Sequence, residues 1–102
     1  MSPGEFQSSV ADRSVQLVDV RTLDEYAEQH IPGAINIDVY EDDFIDQCKA
    51  RLDKDRPVAV YCRSGKRSAN AAGLLRKAGF KPVLNLDGGI MAWLDAAKPV
   101  TQ

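Results

Sequence analysis

Residues 58–75 run Val58-Ala59-Val60-Tyr61-Cys62-Arg63-Ser64-Gly65-Lys66-Arg67-Ser68-Ala69-Asn70-Ala71-Ala72-Gly73-Leu74-Leu75, and a change of pattern inside this stretch decides the fold. The first four residues are an unbroken apolar run, the mark of a strand buried on both faces. From Ser68 the pattern turns helical, predicting a helix over 68–78 that buries Ala71, Leu74, Leu75 and Ala78 and stops at Gly79. Between them lies a short loop, Cys62 to Arg67, holding three cations, Arg63, Lys66 and Arg67. A strand, a tight loop and a helix in succession form half of a βαβ unit.

The flanking sequence repeats this alternation. Ser2-x-x-Glu5 with Pro3 is a capping box that opens a helix reaching Arg13. Gln16 to Val20 reads as a buried strand, and Thr22-x-x-Glu25 caps a helix from Leu23 to Gln29. Pro32-Gly33 turns the chain into a short strand, Ala34 to Ile37. Glu41 to Leu52 is amphipathic, with Phe44, Ile45, Cys48 and Leu52 on one face. Val83 to Leu86 is the last strand, and Asp87-Gly88-Gly89 turns into a helix from Ile90 to Ala97. The expected fold is therefore α/β: a single domain over 1–102, with a mainly parallel sheet flanked by helices. In such sheets ligands bind at the carboxyl ends of the strands, which is where Cys62 falls.

Bulk properties narrow the function classes. A net charge of -2 over 102 residues gives no electrostatic footprint for nucleic acid or anionic lipid. No apolar run approaches the roughly 18 residues of a membrane span. Met1 to Glu5 has neither the basic start nor the apolar middle of a secretory leader. Cytoplasm is the expected compartment, with periplasm the alternative if a leader has been removed. Cys48 and Cys62 match neither zinc spacing nor a CxxC pair, so no metal or other cofactor is expected. A monomer is the default, with a dimer left open.

Cys62 is the strongest candidate for chemistry. It sits at a strand end before a helix N-terminus, where unpaired N–H groups and local cations favour anions and lower a thiol pKa. The alternative is a small core residue. Gly65 is expected to supply an unusual backbone conformation that lets the N–H groups of the loop, Ser64 included, converge. Arg63 and Lys66 are expected to point outward and attract an anion. Arg67 either reaches back over the loop or bridges it to a neighbouring carboxylate. Ser68 is read as the helix N-cap, with a hydroxyl beside the sulfur as a second role. Cys48, on the apolar stripe of its helix, and Trp93 are read as core, and His30, the only histidine, as a structural hydrogen-bonding group. Asp19 and Arg21, at the end of the first predicted strand, are expected either to form a local ion pair or to cap a loop, in a supporting structural role.

Three motifs carry a family resemblance. Leu17-Val18-Asp19-Val20-Arg21, Glu25-Tyr26 and His30-Ile31-Pro32-Gly33-Ala34-Ile35-Asn36 resemble the amino-terminal signature of rhodanese domains. Tyr61 to Ser68 resembles the rhodanese active-site loop, and Asn85 to Ile90 with Trp93 its carboxy-terminal signature. In order, they cover residues 17–93. The resemblance implies a three-layer rhodanese-like fold and a thiosulfate sulfurtransferase. Its Cys62 thiolate would take the sulfane sulfur of thiosulfate or of a persulfide donor and hold it as a persulfide. It would then pass the sulfur to cyanide, a thiol or a protein acceptor. Residues Arg63 to Ser68 would bind the persulfide. Related phosphatases and arsenate reductases carry Cys-x5-Arg, whereas Arg67 here follows Cys62 after four residues, a tighter loop suited to one sulfur atom. Gln29 stands where family members usually have Gly, and their short edge strand before the first helix is expected to be either absent or cut away, the sequence starting at the helix cap. A non-catalytic interaction or redox-sensing module is the competing reading.

Overall fold

The computed structural model describes residues 1–102. Four parallel strands, β1 (Gln16–Asp19), β2 (Ile35–Asn36), β3 (Val58–Tyr61) and β4 (Val83–Asn85), form one sheet in the order β2-β1-β3-β4. Five helices accompany them: α1 (Pro3–Val10), α2 (Leu23–Glu28), α3 (Phe44–Arg51), α4 (Lys66–Lys77) and α5 (Gly89–Asp95). The predicted α/β alternation is thus present in full. Most helices and strands are a little shorter than predicted; α3, for example, begins at Phe44 because residues 41–43 form a turn.

Side chains alternate across a strand, so each strand feeds two layers. Val18, Val20, Val58, Val60 and Cys62 point to one face and pack with Phe44 and Cys48 of α3 and Ala71, Ala72 and Leu75 of α4. Leu17, Ala59 and Tyr61 point to the other and meet Phe6 of α1 and Ile90 and Trp93 of α5. Phe6 and Trp93 pack edge to face, ring centroids 6.3 Å apart. Two helical layers therefore enclose a sheet buried on both sides, which is why β3 is apolar along its whole length. Leu74 departs from the predicted core: it is 37% exposed, because its neighbour Leu75 takes the inward direction on α4. No helix is long and apolar enough to cross a membrane.

The strand order places the site. From β1 the chain crosses to β2 on one side, then returns past β1 to β3 on the other. The connections diverge between β1 and β3, and such a switch point opens a crevice at the carboxyl ends of the two strands. Asp19, the last residue of β1, pairs in register with Tyr61, the last of β3. Cys62 is the next residue.

Candidate active site

The chain leaves β3 at Cys62 and enters α4 sooner than predicted. The first helical bond runs from the Ala69 N–H to the Gly65 carbonyl, 3.0 Å, so Gly65 is the N-cap and Lys66, Arg67 and Ser68 form the first turn. Gly65 sits at φ +99°, a left-handed conformation that glycine adopts without steric cost. That single residue lets the chain reverse tightly, and its own N–H donates to Cys62 Sγ at 3.1 Å. Ser68 is therefore not the N-cap. Its hydroxyl lies 3.4 Å from Cys62 Sγ and 3.2 Å from the Gly65 carbonyl oxygen, so its other predicted placement, beside the sulfur, is the observed one.

Cys62 has no exposed surface. Burial pushes its thiol pKa up, but hydrogen bonds from the Ser68 hydroxyl and from the Ser68, Gly65 and Ser64 backbone amides outweigh it and leave the pKa below its ordinary value. The direction is the predicted one; of the two predicted causes the N–H groups act, joined by the Ser68 hydroxyl, and the loop cations are not among the main ones. Arg63 and Lys66 are exposed. Arg67 bridges to a carboxylate, the second of its two predicted dispositions: Nη1 and Nη2 donate to the two oxygens of Glu25 at 2.7 and 2.9 Å. Its guanidinium also lies over the Tyr40 ring, 5.6 Å from the centroid. With both terminal nitrogens engaged, Arg67 acts as a strut between α2 and α4.

The carbonyl side of the loop is held by α5. The Ile90 N–H donates to the Cys62 oxygen at 2.9 Å and the Met91 N–H to the Arg63 oxygen at 3.2 Å. These bonds turn two carbonyls away from the sulfur. The approach is so close that a Cβ on Gly89 would collide with the Arg63 and Cys62 carbonyls. Sequence reasoning misses this clamp: Gly88-Gly89 reads only as a turn, and the paired glycines are its one local trace. It likewise finds Glu25 as a helix cap but not as the partner of Arg67.

Of the two dispositions expected for Asp19 and Arg21, the ion pair is the one that forms. Arg21 Nη2 meets Asp19 Oδ2 at 2.7 Å with both side chains almost fully buried, and Asn36 Nδ2 donates to the Asp19 and Arg21 carbonyls at 3.0 and 2.8 Å. This network fixes the end of β1 beside the loop. His30 Nδ1 bonds to the Tyr26 carbonyl at 2.8 Å, and Trp93 is core with its Nε1 on the Pro99 carbonyl. Cys48 is wholly buried, and desolvation pushes its thiol pKa up to about 12. No group of three or more His, Cys, Asp or Glu side chains is placed to hold a metal ion.

A buried thiol ringed by convergent amides and one hydroxyl can hold a sulfur-centred anion by fixed dipoles, with no nearby acid or base required. Known proteins are close to this chain in sequence and structure. The chain is 42% identical over 86 residues to a sulfurtransferase of Allochromatium vinosum, covering 84% of this chain and 78% of that protein. It is 39% identical over 84 residues to the thiosulfate sulfurtransferase GlpE of Shewanella oneidensis, covering 82% and 80%. The rhodanese-like domain of the Anabaena protein Alr3790 superposes with a TM-score of 0.88 at 29% identity, over 99% of this chain and 76% of that one. The family model of the rhodanese-like domain matches residues 2–96, and with that span covering both helical layers and the Cys62 loop, the chain belongs to the rhodanese-like domain family.

Proposed function

We propose that this protein is a sulfurtransferase that carries sulfane sulfur on Cys62, with thiosulfate as a donor. The observation that carries this reading is the set of donors around one sulfur atom: the Gly65 N–H at 3.1 Å and the Ser68 hydroxyl at 3.4 Å from Sγ. In the first step the Cys62 thiolate attacks the outer sulfur of thiosulfate. The S–S bond of thiosulfate breaks, its electron pair leaves with sulfite, and Cys62 keeps the transferred sulfur as a persulfide anion. In the second step an acceptor such as cyanide or a thiolate attacks the outer sulfur and regenerates the Cys62 thiolate. Charge stays on sulfur throughout, so fixed N–H donors serve both steps. Exposed Arg63 and Lys66 attract the dianionic donor.

Several features favour this over phosphoryl or arsenyl chemistry. The loop is short, and Arg67 commits its fork to Glu25 instead of leaving it free for an oxyanion. A sensing disulfide finds little support, since Cys48 is sealed in the α3–α4 layer with its pKa pushed up to about 12.

Intact-mass spectrometry of the reduced protein after brief thiosulfate treatment tests the proposal. The expected result is a gain of about 32 Da, one sulfur atom, reversed by cyanide and absent in Cys62→Ser. No gain with thiosulfate or with a small-molecule persulfide would overturn it.

A further inference from the structure

The large apolar side chains left in solvent are not scattered. Of Leu23, Tyr40, Leu74, Met91 and Leu94, only Leu74, in the second half of α4, lies away from the carboxyl end of the sheet. Leu23 and Tyr40 follow the ends of β1 and β2, and Met91 and Leu94 stand on α5, after β4. That end also carries the Cys62 loop. A lone exposed leucine would need no explanation, but a gathering of them around a reactive residue marks an interaction surface.

Met91 and Leu94 lie on the α5 side, to which the loop turns its carbonyls. Leu23 and Tyr40, both 67% exposed, meet the loop through Arg67 instead. Its guanidinium bonds Glu25, two residues beyond Leu23, and lies over the Tyr40 ring, 5.6 Å from the centroid. Arg67 precedes Ser68, whose hydroxyl meets Cys62 Sγ. Val39, next to Tyr40, packs against the core cluster that contains Cys62. The Tyr40 segment and the first turn of α4 thus border the layer that holds the sulfur, with Leu23 across the Arg67 bridge.

Charge gives this face a direction. Arg63 in the loop and Lys66 at the start of α4 are exposed and make no ion pair. Glu41, Asp42 and Asp43, all exposed, follow directly on Tyr40. Free cations therefore stand at the loop, Tyr40 and Leu23 beside them, and carboxylates at the outer margin.

From this we propose that the face docks a protein acceptor of sulfur through a segment of complementary order. Carboxylates beside the acceptor cysteine meet Lys66 and Arg63, apolar residues pack on Leu23 and Tyr40, and cations farther out face Glu41 to Asp43. Aromatic rings with a guanidinium beneath them are among the groups that dominate binding at protein interfaces. The inference rests on the sulfurtransferase reading above. The acceptor cysteine first gives its proton to solvent. Its thiolate attacks the outer sulfur of the Cys62 persulfide and forms a new S–S bond. The bond to Sγ breaks with its electron pair, which restores the Cys62 thiolate, and the acceptor leaves as a persulfide with no net oxidation.

The test loads Cys62 first and confirms the added sulfur by mass. Failure to load counts against the sulfurtransferase reading and the docking face together. Loss of the sulfur is then timed with 2-mercaptoethanol and with three acetylated, amidated peptides: Lys-Leu-Asp-Cys-Asp-Leu-Lys, its charge-exchanged form Asp-Leu-Lys-Cys-Lys-Leu-Asp, and Lys-Ser-Asp-Cys-Asp-Ser-Lys. Each rate is divided by the 2-mercaptoethanol rate of the same protein, and the ratios are compared between proteins, which cancels each thiol's own reactivity. Leu23→Ser and Tyr40→Ser are each expected to lower the ratio of the first peptide about two- to fivefold and to leave that of the serine peptide in place. Lys66→Gln is expected to lower the ratio of the first peptide and raise that of the charge-exchanged one, a shift that shrinks at high salt. A first-peptide ratio that stays fixed in both Leu23→Ser and Tyr40→Ser, or a Lys66→Gln shift that is absent or reversed, overturns the docking face while leaving the loaded persulfide intact. Sedimentation of wild type and Leu23→Ser completes the test: a dimer that Leu23→Ser dissociates means that a second copy of the chain covers the face, and overturns the proposal as well.

Discussion

The Ser68 hydroxyl has one proton and two acceptors in reach, Cys62 Sγ at 3.4 Å and the Gly65 carbonyl at 3.2 Å. Against a thiolate the proton turns to sulfur. Against a neutral thiol it can turn to Gly65 and offer a lone pair to the S–H. The rotor thus follows the charge of the sulfur, and its contribution favours the thiolate, consistent with the lowered Cys62 pKa. A hydrogen bond to a charged group favours the charged form. In Ser68→Ala the pH midpoint for alkylation of Cys62 should therefore rise. An unchanged alkylation profile would mean that the backbone amides alone set the thiolate.

At the scale of elements, α5 is as much a part of the loop as the residues between β3 and α4. Gly89 sits at φ +61° with the Arg63 and Cys62 carbonyls where a Cβ would stand. Gly89→Ala should push α5 off the loop, break the bonds from the Ile90 and Met91 amides, and slow persulfide formation about tenfold or more. Gly73, in the middle of α4 with open space where a Cβ would stand, provides the contrast. Gly73→Ala should raise stability by about 0.5–1 kcal/mol in urea unfolding without slowing loading. Equal effects of the two substitutions on loading would refute the clamp. The elements themselves are largely legible in the sequence: β3 has the predicted bounds because four apolar residues in a row fit a two-sided core. Helix α4 starts before its predicted first residue because Ser68 looks like a cap. The true cap, Gly65, is set by backbone handedness, which residue type permits but does not announce. Cys62, Arg63 and Lys66 can be placed from their position alone. The links from Arg67 to Glu25, 42 residues apart, and from α5 to the loop cannot, since each forms only when the sheet brings distant segments together.

Across the whole molecule, the Glu25–Arg67 bridge joins the segment after β1 to the segment after β3, across the switch point of the sheet. Hydrogen bonds from Arg67 and from Thr22 hold the Glu25 carboxyl down at about 2, against an ordinary 4.5. The folded protein therefore binds this proton more weakly than the unfolded chain. The stabilisation is complete above about pH 4.5 and is lost as the pH falls towards 2. The pair is partly exposed, so its contribution is about 1 kcal/mol. Wild type and Glu25→Gln should differ by that amount in urea unfolding at pH 6, and the gap should close between pH 4.5 and 2. A gap of constant size would remove the bridge as its cause. One further consequence follows from how the loop is secured. Besides the Gly65 and Ser68 bonds to Sγ, its fastenings run from backbone amides of α5 to backbone carbonyls, and from one carboxylate to one guanidinium; these do not depend on the sulfur. The chassis and the chemistry are thus separable by mutation, and a descendant that lost the thiol would inherit an intact anion-recognition cradle, free to be turned to other uses.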